Sequence, residues 1–164
     1  MFTTESTIDA EARTLTFVVH LDLAPERAWQ AWADPRRLER WWGPPTWPAS
    51  FVRHELEAGG EARYVMTGPD GERAGGWWRV LEVDPPRRLA FEDGFAGEDG
   101  EPDPASPFDP TRTDVAVEPD GDGGTFMTIV STFTSREQLE QMLAVQVEEG
   151  MTQALGQLPE ALRD

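Results

Sequence analysis

The chain has 164 residues, enough for one domain that buries roughly 70% of the surface exposed when unfolded. It carries 31 acidic against 14 basic side chains, a net charge of −17, so phosphate backbones and anionic membranes would repel it. It has no cysteine, which removes disulfides, thiolate metal sites and cysteine nucleophiles.

The segment before residue 13 has no basic n-region, no apolar h-region and no strong period. It reads as an N-terminal tail over 1–12, and the expected location is cytoplasmic. Residues 13–23 alternate, with Leu15, Phe17, Val19, Leu21 and Leu23 on one face and Thr14, Thr16, His20 and Asp22 on the other. That is a half-buried strand, with His20 on its solvent side. Two short helices follow. Pro25 opens the first, whose apolar stripe is Ala28, Trp29 and Trp32. Asp34 caps the second, which carries Leu38, Trp41 and Trp42 inward before Gly43-Pro44 stops it. Four of the seven tryptophans lie between Ala24 and Pro45, which predicts either a bulky core plug or the wall of a ligand cavity.

Short periods then predict strands over about 51–57, 61–67, 76–83, 88–95, 113–118 and 125–133. Gly59-Gly60, Pro69-Asp70-Gly71, Pro85-Pro86 and the run Asp120-Gly121-Asp122-Gly123-Gly124 mark turns. Residues 97–110, rich in Gly, Pro, Asp and Glu, read as a flexible acidic loop inside a single domain spanning 13–162. Ser135 with Gln138 is a capping-box signature. Beyond it Leu139, Leu143, Val147, Met151, Leu155, Leu158 and Leu162 form one amphipathic stripe, with Gly150 inside it and Pro159 bending or ending it. Gly150 suggests that something packs closely there. A curved antiparallel sheet of about seven strands around one long C-terminal helix would bury the stripe, giving an α+β domain.

The order β-α-α-β₆-α resembles a START-like helix-grip protein of the SRPBCC superfamily. Particular residues narrow the likeness: Pro25 and Trp29, Trp41-Trp42-Gly43-Pro44, Gly59-Gly60, Gly71, Glu82-Val83-Asp84-Pro85-Pro86, Leu89, Phe91, Gly123-Gly124-Thr125, and Gly150 with Leu155 and Leu158. Together they resemble the family named after the activator of the heat-shock-protein ATPase. The likeness spans about 13–162. Many members carry Trp after the helix glycine, where this chain has Met151, a more flexible side chain. The resemblance implies a hydrophobic cavity between sheet and long helix, roofed by the two short helices. Relatives use it for lipids, polyketides, hormones or other small molecules, and some are enzymes.

Expected cavity-lining residues are Trp41, Trp42, Tyr64, Met66, Phe91, Met127, Val147 and Met151, around a space of roughly 300 Å³ or more. The candidate chemical groups are His54, able to point inward as a base, and Asp93. Asp93 shares strand parity with Leu89, Phe91 and Phe95, and its pKa should rise among apolar neighbours. No HxH, HExxH, phosphate loop or dinucleotide fingerprint occurs, so neither a metal nor a cofactor is expected. Three functions stay open: binding of a hydrophobic or aromatic small molecule, a cyclase- or hydrolase-like reaction in the same cavity, and a co-chaperone-like interaction. A homodimer and a chaperone partner stay open too, without a motif for either; nucleic acid and membrane are not expected partners.

Overall fold

A computed structural model describes residues 2–97, 101–103, 106 and 108–163. Its elements are β1 (Thr3–Asp9), β2 (Thr14–Leu21), α1 (Pro25–Ala33), α2 (Pro35–Trp41), β3 (Ala49–His54), β4 (Glu61–Thr67), β5 (Arg73–Asp84), β6 (Arg88–Ala96), β7 (Thr111–Pro119), β8 (Thr125–Thr132), α3 (Arg136–Ala144), α4 (Val147–Leu155) and α5 (Leu158–Ala161). The eight strands form one antiparallel sheet in the order β1-β2-β8-β7-β6-β5-β4-β3. The expected α+β class is correct, but the strand count is eight rather than seven. The added strand, β1, lies in the segment read as a tail and pairs with β2 from Thr3↔His20 to Asp9↔Thr14. Its side chains are almost all exposed, so it leaves no apolar alternation in the sequence.

β2 behaves as its pattern requires, with Leu15, Phe17, Val19 and Leu21 buried. Pro25 fills the first turn of α1, and the Asp34 carboxylate accepts from the Arg36 N–H at 2.9 Å to cap α2. Irregular register at Phe51/Arg53 and at Val80/Glu82 bends β3 and β5, as bulges do, and helps the sheet to curve. The acidic loop expected at about 97–110 falls partly outside the described residues, at 98–100, 104–105 and 107; Ala96 and Pro102 form an isolated bridge beside it.

The single long helix is a misreading. The stripe is divided among α3, α4 and α5: Gln146 separates α3 from α4 with a left-handed backbone (φ 65, ψ 38) that no helix continues through, and Gly156-Gln157 separate α4 from α5. Val145-Gln146-Val147 contains no glycine or proline to announce a break, only two β-branched residues of modest helix propensity. Past the break α4 reaches β1, where the Ser6 hydroxyl donates to Glu148 at 2.8 Å. Leu139, Leu155 and Leu158 are buried, whereas Leu143, Val147 and Met151 remain half-buried. Gly150 is not a close-packing point either: a β-carbon there would meet no atom within 4 Å.

The C-terminal helices are tied to the tryptophan-rich turn by polar contacts. Gln157 donates to the Gly43 carbonyl at 2.7 Å, and Arg27 and Arg37 donate to the carbonyls of Leu162 and Ala161. Gly43 has φ 98, and a side chain there would run into the Trp47 carbonyl at 2.5 Å, so glycine is required.

Candidate functional site: an apolar cavity with one polar wall

Between the sheet and the α3–α4 junction lies a cavity of about 190 Å³. Leu15 and Phe17 of β2, Ile129 of β8 and Phe133 supply one apolar side. Met142 of α3, Val147 and Met151 of α4, with Trp42 and Phe95, supply another. The remaining wall is polar: Tyr64 from β4, Asp93 from β6, Thr111 and Thr113 from β7, Ser131 from β8, and Asp109. Strand register explains the cluster, since Asp93 pairs with Thr111 and Thr113 pairs with Ser131.

An apolar groove of about 300 Å³ adjoins this cavity, lined by Gly43, Pro44, Met66, Gly150 and Ala154 among others. Trp42, Phe95, Met142, Val147 and Met151 border both spaces and form the partition between them. The helix break accounts for that partition. It leaves Val147 and Met151 over the space instead of seated in the core.

Asp93 is the chemically distinctive group. Burial pushes its carboxyl from 3.8 up to about 7, with the Thr113 hydroxyl acting the other way. Burial also raises the Tyr64 phenol, and the Asp93 charge adds to that rise. The Trp42 N–H tempers it, although neither that N–H nor the one of Trp78 has a hydrogen-bond partner of regular geometry among the described residues.

The residues expected from the sequence separate into three places. Trp42, Tyr64, Val147, Met151 and Asp93 line the cavity, and Met66 lines the groove. Trp41, Phe91 and Met127 line neither, because each is locked into the core. The Trp41 N–H donates to the Ala31 carbonyl at 2.8 Å, Phe91 stacks on Trp78 at 4.2 Å, and the Met127 sulfur accepts from the Trp32 N–H at 3.4 Å.

His54 does not reach the cavity. Its Nε2 lies 3.0 Å from the Trp32 carbonyl and its ring stands edge-on to Phe51, a role that joins β3 to α1. His20 is not free in solvent but contacts Asp120 at 2.7 Å and packs beside Phe126. The His20 hydrogen bond, then the Asp122 N–H, pull the Asp120 carboxyl down to about 2. The same carboxylate accepts from the Asp122 and Gly124 N–H groups, so the turn read from the sequence is real and has a second function in holding His20. No cluster of three or more His, Cys, Asp or Glu side chains placed to hold a metal occurs among the described residues. No described helix is long and apolar enough to cross a membrane.

Phe95, Asp109, Thr111, Thr113, Ser131 and Met142 are wall residues that the sequence reading missed. The available signal was parity: Thr111, Thr113, Val115 and Val117 alternate inward on β7, so two threonines share the face of two core valines.

Comparison with known proteins places this geometry. A family model described as activator of Hsp90 ATPase homolog 1-like protein matches residues 22–163. A solution structure of a protein from Arthrobacter aurescens is 46% identical over 96% of this chain and 90% of that one, with a TM-score of 0.90. The crystal structure of protein Ms6760 from Mycobacterium smegmatis is 39% identical over 99% and 98%, with a TM-score of 0.88. A Rhodobacter sphaeroides protein is 26% identical over 98% and 97%, with a TM-score of 0.79. No curated protein matches the chain. The family-model match runs from just after β2 through the tryptophan-rich roof and six of the eight strands to the C-terminal helices, so this chain belongs to the activator of Hsp90 ATPase homolog 1-like family.

Proposed function

We propose that the protein binds a small, largely hydrophobic molecule in the cavity beneath the α3–α4 junction. Family membership is compatible with a ligand-binding or a co-chaperone-like domain; the cavity favours the first. The observation that carries the reading is the partition of Trp42, Phe95, Met142, Val147 and Met151. It separates a 190 Å³ cavity from a 300 Å³ groove with side chains alone. The cavity by itself is smaller than most ligand sites, which hold roughly 300–1,000 Å³. Two methionines and a valine in the partition can rotate, and a ligand that moves them occupies both spaces. Methionine in particular adapts to irregular apolar partners.

A catalytic version of this reading rests on Asp93, whose carboxyl would exchange protons near neutrality. His54 is removed from that version by its place outside the cavity.

Titration with the neutral fluorophore N-phenyl-1-naphthylamine tests the binding reading. Saturable enhancement at one site, with a rise in melting temperature, is expected. Absence of both with this probe and with smaller neutral aromatics would overturn it.

A further inference from the structure

The cavity wall holds charge of only one sign. Its titratable side chains among the described residues are Asp93 on β6, Tyr64 on β4 and Asp109 ahead of β7; no Lys, Arg or His lines it. The other elements facing Asp93 are uncharged there. β5 presents Trp78 in register with it, β7 presents Thr111 and Thr113, and α3 and α4 present Met142, Val147 and Met151. Asp93 thus sits partly enclosed, with hydroxyls nearby and no cationic side chain beside it among the described cavity-lining residues. A carboxylate removed from water without an opposite charge is costly, and a cation brought by a ligand removes that cost. The chain's charge of −17 works in the same direction, drawing cations toward it and repelling anions.

Resting on the ligand-binding reading above, we propose that the cavity selects apolar amines. An aromatic or aliphatic body would lie against Phe17, Trp42 and Met151, and an ammonium would meet the Asp93 carboxylate and the neighbouring threonine oxygens. Asp109 stands at the exposed edge of this wall, where its carboxylate accepts from the Thr134 hydroxyl at 3.1 Å. Fatty acids and other anionic amphiphiles are disfavoured for the converse reason, since their head group would meet the Asp93 carboxylate and no cation among the described residues.

The pairing carries a proton signature. Asp93 titrates at about 7, so an ammonium binds with release of its proton to the buffer at lower pH. A simple alkylammonium keeps its own charge until well above neutrality, as the lysine side chain does. Amine affinity therefore rises from about pH 6 to about pH 8, approaching tenfold per unit on the acid side of the Asp93 titration. A neutral ligand of the same shape has no such slope.

Three probes on one naphthalene body test this: 2-naphthylmethylamine, 2-naphthylmethanol and 2-naphthoate, titrated calorimetrically against the full chain. The amine is expected to bind at least about tenfold tighter than the alcohol at about pH 8, with the carboxylate weakest. In Asp93→Asn the amine-to-alcohol ratio should fall to within about threefold of unity, and the pH slope should vanish. Should that variant fail to fold, the pH slope of the unaltered protein, present for the amine and absent for the alcohol, decides alone. Equal affinities for amine and alcohol would overturn the selection for amines, and an amine preference that survives Asp93→Asn would overturn its assignment to Asp93; either outcome leaves the binding reading intact. Failure of the neutral alcohol and of N-phenyl-1-naphthylamine together would overturn the binding reading itself.

Discussion

The Tyr64 ring fills the space above Gly76, its register partner on the neighbouring strand, so closely that a β-carbon at 76 would overlap the phenol. Tyr64 in turn packs edge-on to Trp42 at 5.9 Å and against Phe51 at 5.1 Å. A missing side chain on β5 thus sets the position of a polar group and an indole on the cavity wall. Gly76→Ala should cost about 1–3 kcal/mol by overpacking and should weaken probe binding as Tyr64 and Trp42 shift. Gly150→Ala should do the opposite to stability. Its β-carbon meets open space, and replacing a mid-helix glycine is worth up to about 1 kcal/mol. Thermal unfolding of the two variants checks both signs; a neutral Gly76→Ala would show that Tyr64 is not held from below.

Asp93 makes stability depend on pH in an unusual direction for a carboxylate. Its folded pKa of about 7 lies above the ordinary 3.8, so its contribution is fully present below about pH 4 and is lost as pH rises through 7. Over that window the unfolded chain is ionised at this site while the folded chain still holds the proton. The cost of ionising Asp93 in place is on the order of a few kcal/mol, reduced by whatever water reaches the cavity. Asp93→Asn should therefore match the unaltered protein at about pH 4 and exceed it at about pH 8. Urea unfolding at both values is the measurement. Parallel curves for the two proteins across the range would mean that the carboxyl is solvated and ordinary.

The sequence was most legible where burial alternates sharply. β2, the helices α1 and α2, and strands β4 to β8 follow from periodicity, Pro at N1 and, for α2, the Asp34 cap. β1 was hidden because an edge strand with exposed side chains carries backbone pairing but no apolar pattern. The break at Gln146 was hidden because the apolar stripe runs through it without interruption, and only tertiary packing of α4 against β1 reveals it. The candidate site was legible in part. Asp93, Tyr64, Trp42, Val147 and Met151 could be assigned inward from parity and helix spacing. Depth could not be read from parity, so Trp41, Phe91 and Met127 point inward into solid packing rather than toward the cavity. Nor could pairing across distant segments, and His20 with Asp120, 100 residues apart, is the clearest instance.

Met151 is the residue through which cavity and groove can be separated experimentally. It borders both, is half-buried on α4, and follows Gly150, beside which there is open space. A larger rigid side chain at 151 can extend into the cavity and groove that Met151 already borders, so overpacking should be modest. Met151→Trp is therefore expected to leave the melting temperature close to that of the unaltered chain. Binding of N-phenyl-1-naphthylamine should weaken at least about tenfold, a loss of about 1.4 kcal/mol. Met127→Leu is the matching control, because Met127 is fully buried against Trp32 and lines neither space. That swap should cost less than about 1.5 kcal/mol of stability and leave probe affinity unaltered. Fluorescence titration of both variants separates filling of the site from general loosening of the core. Unchanged affinity in Met151→Trp would place the probe elsewhere on the molecule, whereas equal weakening in both would trace binding to core flexibility rather than to this cavity.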